Sequence, residues 1–149
     1  MLDKSAYYHG AAVIPILEDI RCRSIRKLGT LGYVVNDDKF LFIKYTTRER
    51  PPWRFTFDRE DIGRCLNMSG NYSLLVLGFV CGSDGVCAVD WSQGLELLGD
   101  KPGWVAASRK HNHSYTVWGA KGELKRKVSL NRWPALIFDP SAGESANVS

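Results

Sequence analysis

The chain predicts an α+β fold, with a mixed, mostly antiparallel sheet and two main helices. The expected order is α-β-β-β-α-β-β, followed by C-terminal β-hairpins. Three observations predict it. Val13, Leu17 and Ile20 recur at helical spacing near the N-terminus. Apolar runs rich in β-branched and aromatic residues follow, chiefly Lys39 to Thr47 and Tyr72 to Cys81. From Trp104 onward, short strand-like segments alternate with glycine-containing turns. The 149 residues suit one domain over 1–138, with the small polar segment 139–149 expected to be a disordered tail.

A first helix is capped by Asp3 or Ser5 and is expected to run to about Leu28, because Ile25 and Leu28 continue its spacing. Arg21, Arg23, Arg26 and Lys27 would then suit its negative end, and Gly29 would stop it. Pro15 conflicts with this reading and implies a kink, or a helix that begins near Ile14. Gly32 to Val35 is a short strand, and Asn36-Asp37-Asp38 turns it into the strand Lys39 to Thr47. That strand is apolar on both faces, so it should be central. Lys44 follows Phe40 and Phe42 on one face, so it must reach solvent or meet a carboxylate.

Pro51-Pro52 ends the strand, and Trp53, Phe55 and Phe57 alternate with Arg54 and Thr56. The corner reads in two ways: a hairpin with an aromatic core face, or an anion-gripping corner of Lys44, Arg48, Arg50 and Arg54 beside Trp53. Asp58 caps a second helix that runs to about Met68. Tyr72 to Cys81 and Val86 to Trp91 are strands joined by a glycine turn, and Ser92 to Leu98 is a short helix ended by Gly99. Trp104 to Arg109, Ser114 to Trp118, Leu124 to Leu130 and Ala135 to Phe138 are the expected late strands.

The net charge of +4 is unevenly placed. Residues 1–100 hold 12 Lys/Arg against 13 Asp/Glu, a net of −1. Residues 101–133 hold Lys101, Arg109, Lys110, Lys121, Lys125, Arg126, Lys127 and Arg132 against Glu123 alone, a net of +7. A one-signed field of this kind steers polyanions. Lys125 and Lys127 share a strand face that can meet phosphates, and Trp104, Tyr115, Trp118 and Trp133 can stack on bases.

No apolar run is long enough for a transmembrane helix, and MLDKSAYYHG lacks a signal core, so a cytoplasmic location is expected. Cys22, Cys65, Cys81 and Cys87 are scattered without a CxxC spacing and read as reduced core residues. His111-Asn112-His113 reads as a loop rather than a metal site, since neighbouring strand residues point to opposite faces. His9 stands alone. The Gly82-Ser83-Asp84-Gly85 turn lacks the lysine and hydroxyl of a phosphate loop. No metal site is read from these residues.

The order helix, hairpin, strand, helix, strand over roughly residues 8–82 is similar to the core of the PD-(D/E)XK nucleases. In that family a helix Glu, a strand Asp and a strand (D/E)xK bind magnesium and activate water. The resemblance implies Glu18, Asp37 and Lys44 as a site, with magnesium as its only cofactor. Phe42-Ile43-Lys44 stands where (D/E)xK would be. The chain also resembles a group of uncharacterised bacterial proteins that carry K-Y-[ST]-T, P-W-R-F-T-F, a G-D-G turn and L-L-G-D-K-P-G-W. Here these are Lys44 to Thr47, Pro52 to Phe57, Ser83-Asp84-Gly85 and Leu97 to Trp104. That likeness implies bacterial origin and no particular activity.

The leading expectation is a non-catalytic nucleic-acid-associated protein whose basic C-terminal surface comprises Arg109, Lys110, Lys121, Lys125, Arg126, Lys127 and Arg132. The alternatives are a module that binds an acidic protein and a divergent magnesium nuclease.

Overall fold

A computed structural model describes residues 3–141. The elements are α1 (Lys4–Leu17), β1 (Ile25–Leu28), β2 (Gly32–Val35), β3 (Lys39–Thr46), β4 (Trp53–Phe57), α2 (Arg59–Asn71), β5 (Leu74–Cys81), β6 (Gly85–Asp90), α3 (Trp91–Leu98), β7 (Gly103–Ser108), β8 (Thr116–Gly119) and α4 (Arg132–Phe138). The class is α+β, as the composition of its segments predicts.

Two sheets form. The main one has the order β1-β2-β3-β5-β6, antiparallel throughout except that β3 and β5 run parallel. A parallel neighbour needs a crossover, and β4 with α2 supplies it. The smaller sheet has the order β4-β7-β8 and is antiparallel.

β3 is central, and its period-two alternation sorts two cores. Leu41 and Ile43 join Val76, Val80, Ala12 and Ile16, so α1 and α4 cover that face. Phe40 and Phe42 join Leu77 and Phe79 with Phe55, Phe57, Val105 and Val117, so the second sheet, α2 and α3 cover the other. Phe55 meets Phe79 at 4.7 Å between ring centroids, and Phe42 meets Phe57 at 6.0 Å. A ring such as Phe57, fully buried here, is worth about 3–5 kcal/mol against truncation to Ala.

The Asp58 carboxylate accepts from Asp61 N while Asp61 accepts from Asp58 N, a capping box that starts α2 where expected. Asp90 and Gln93 make the same box for α3. Three cysteines are buried and Cys22 is half-buried, all as free thiols. Burial pushes the Cys65 and Cys81 thiols up to about 12, which keeps them unreactive.

Five expectations fail. The first helix stops at Leu17, two residues past Pro15, with neither a start at Ile14 nor an extension to Leu28. Ile25 to Leu28 pairs with β2 instead. Asn36 sets that connection: its side-chain oxygen accepts from Arg23 N and Ser24 N, and its amide donates to Arg21 O. Arg26 and Lys27 therefore protect an exposed sheet edge rather than complement a helix dipole.

β3 and β4 form no hairpin, because β4 crosses to the second sheet and pairs with β7. Leu124 to Leu130 is not a strand. It meets β8 and its approach through the isolated bridge Tyr115–Val128 and a backbone bond from Leu124 N to Val117 O, next to a second bridge, Trp118–Glu123. Ala135 to Phe138 lies in α4, which kinks at Trp133 because a residue before proline is pushed out of the helical region. Most of the tail expected from Asp139, namely 142–149, lies outside the described residues. No helix of the described residues is long and apolar enough to cross a membrane.

Candidate functional site

Phe55 and Phe57 of β4, Val105 and Ala107 of β7, and Val117 of β8 point inward to the large core. The residues between them form the outer face of the second sheet. Cross-strand register puts Arg54, Ala106 and Trp118 in one row, with Thr56 opposite Trp104 and Ser108 opposite Thr116. The Arg54 guanidinium lies 4.5 Å from the Trp104 ring centroid. Trp104 and Trp118 are half-buried, and Arg54 is exposed. Two strand spacings, about 10 Å, separate Arg54 from Trp118.

Beyond β8 the basic segment lies alongside. Leu124 N donates to Val117 O at 3.0 Å, and Val128 and Tyr115 exchange two backbone bonds at 2.8 Å. Leu124 and Val128 are buried anchors, while Lys125, Arg126 and Lys127 between them are exposed. The β7–β8 connection brings Arg109, Lys110 and His113 to the same end. A depression of about 380 Å³ is lined by these three with Ser108, Ser114, Thr116, Trp118 and Lys127.

Arg109, one of the lining residues, is held by three hydrogen bonds. Its Nε donates to Asp84 Oδ2 at 2.7 Å, and Nη1 donates to the carbonyls of Lys110 and His113. That hydrogen bond to Asp84 also raises the Arg109 pKa. The depression can therefore offer a guanidinium fixed by Asp84 and two exposed lysines to a polyanion, beside the Trp118 side chain.

Comparison of the chain with family models, with characterised protein sequences and with solved structures returns no match.

The other sequence-predicted residues divide. Arg132 is corrected: it is 4% exposed. Its guanidinium donates to Gln93 Oε1 at 2.7 Å and to Ala88 O, with Asp90 at 3.8 Å. Lys121 sits at the opposite end of the sheet, beside Gly99 after α3. Tyr115 and Trp133 are corrected as base-stacking candidates, since both rings are buried.

The anion corner also comes apart. Lys44 meets a carboxylate, the Asp61 Oδ2 at 2.9 Å, over the Phe57 ring at 5.0 Å. Arg48 and Arg50 are exposed, and Arg48 Nε donates to Arg50 O. Trp53 is buried, with Nε1 bonded to Arg48 O. Only Lys44 and Arg54 share a depression, about 300 Å³, with Thr46 and Thr56.

Glu18, Asp37 and Lys44 do not converge. Lys44 extends from the β3 face covered by α2, while Glu18 ends α1 on the opposite face. Asp37 lies in the turn before β3, about 20 Å of strand from Lys44. Among the described residues no group of three His, Cys, Asp or Glu could hold a metal ion. His111 and His113 are exposed loop residues. Sequence reasoning missed Ser108, Thr116 and His113 as site-lining residues. The alternation of β7 carried the signal for the first, once the inward face of β4 was known.

Proposed function

We propose that this protein binds nucleic acid, single strands in preference to duplex, on the outer face of the β4-β7-β8 sheet. The observation that carries the reading is the row Arg54–Ala106–Trp118 with Arg54 stacked on Trp104, bordered by exposed Lys110, Lys125 and Lys127. Unstacked bases find aromatic planes there, and their phosphates find cations at the β8 edge. No helix projects from this sheet face to enter a duplex groove, and its aromatic side chains suit unstacked bases, which favours single strands. Glu123 stands opposite Trp118 and is the one acidic group in the basic segment.

The test is fluorescence anisotropy with single-stranded DNA, single-stranded RNA and duplex across a salt series. Log affinity should fall linearly with log salt for the single strands, and Trp fluorescence should be quenched on binding. Undetectable or salt-independent binding removes the proposal. A complex with an acidic protein that survives nuclease treatment would favour the protein-partner alternative on the same cations.

A further inference from the structure

The outer face of the β4-β7-β8 sheet stops at one row. Ser108 and Thr116 are the last paired residues of β7 and β8, and the connection between the strands begins beyond them. A nucleic-acid chain running along the strands leaves the face here. The depression of about 380 Å³ lies at this end, and no Asp or Glu lines it. Its volume is at the small end of ligand pockets, room for one nucleotide rather than a run of them.

The charge in that volume exceeds what one internal nucleotide needs. Arg109 and Asp84 offset each other at 2.7 Å. Lys110 and Lys127 line the same depression, are exposed, and form no salt bridge among the described residues. Two uncompensated cations therefore face one occupant. A phosphodiester carries a single negative charge and leaves one of them unmatched. A phosphate monoester carries about two near neutral pH and matches both.

The donors agree. Arg109 commits Nε to Asp84 and Nη1 to the carbonyls of Lys110 and His113. Its Nη2 makes no hydrogen bond among the described residues and is not sealed from solvent. A guanidinium anchored on one side and open on the other is pre-set for a phosphate oxygen. Ser108 and Thr116 add hydroxyls to the lining. Trp118 stands two residues from Thr116 on the same face of β8, about 7 Å away, so one nucleotide can touch both.

We propose that this depression holds the terminal phosphate monoester of a single strand, with the end nucleotide against Trp118. The proposal rests on the nucleic-acid reading above and names the part of the strand that this end of the face selects.

Fluorescence anisotropy tests it with a short oligothymidylate labelled at one end and bearing a phosphate or a hydroxyl at the other. One pair varies the 5′ end and a second pair varies the 3′ end. For one of the two ends, the phosphorylated strand should bind about tenfold tighter than its hydroxyl counterpart, and for the other end less than about threefold tighter. Lys110→Gln should reduce the larger advantage about threefold or more. Lys121→Gln, at the opposite end of the sheet, should leave it unchanged. Equal gains at both ends would reflect added charge alone and overturn the proposal. So would an advantage that survives both Lys110→Gln and Lys127→Gln. Salt-dependent binding with no gain at either end overturns it while the preceding reading stands, whereas no binding of any strand removes both. Thymidine 5′-monophosphate that competes as well as the phosphorylated strand overturns it in favour of a free nucleotide.

Discussion

The Asp84 carboxylate accepts the Tyr115 hydroxyl at 2.7 Å, joining the β5–β6 turn to the segment that leads into β8. The same oxygen accepts from Arg109. One carboxylate thus fixes the second sheet to the first and sets a site cation. Tyr115→Phe removes one bond and leaves Arg109 in place. Urea unfolding should show a loss of about 1–2 kcal/mol. Single-strand affinity should change less than twofold, because Tyr115 is buried.

Trp118 and Lys127 act on the ligand by different physics. Trp118→Ala should cost about 1–3 kcal/mol of binding with the salt slope unchanged, since stacking releases no counterions. Lys127→Gln should reduce the slope by about one and weaken all sequences alike. If the two variants behave identically in a salt series, the division of labour on this face is wrong.

Lys44 is held by structure rather than left for a ligand. The Lys44 and Asp61 side chains are only 17% and 14% exposed. Lys44→Met keeps the stem packed on Phe57 but strands Asp61. A stability loss of about 1–3 kcal/mol is expected in denaturant titration. Asp61 keeps its bond from Asp58 N, so helix content should not fall.

His9 predicts acid sensitivity. Burial, and then the charge of Lys27, lower its pKa below 6.5. Its Nδ1 lies 2.7 Å from Tyr33 Oη, and Nε2 is buried without a partner. A lowered folded value means that the unfolded chain binds more protons in the window below 6.5. Stability from this group is full above that value and is lost as pH falls through the folded pKa. Thermal midpoints from about pH 7 to about pH 5 should decline more steeply for the wild type than for His9→Phe. Equal slopes would show that other groups dominate.

The alternation of Lys39 to Thr46, the cap at Asp58 and the glycine turns are local properties, and the sequence alone determined β3, α2, β5, β6 and α3 to within a few residues. It also determined that positive charge gathers late in the chain. Tertiary structure decided the rest. Ile25 to Leu28 fits a helical period as well as a strand, and pairing with β2 settled it. β4 reads as the partner of its neighbour in sequence, yet its aromatic face is buried only by crossing to a second sheet. In the second sheet Trp104 and Trp118 stay half-buried on the outer face and Tyr115 goes into the large core, while Trp133 of α4 goes into the core on the other side of the main sheet. Packing of α4 against β6 and α3 buried Arg132 on Gln93, and the approach of the β7–β8 connection to the β5–β6 turn tied Arg109 to Asp84. Spacing reports which residues share a face of one element. Which face meets water depends on what packs against it, and that is a property of contacts between distant parts of the chain.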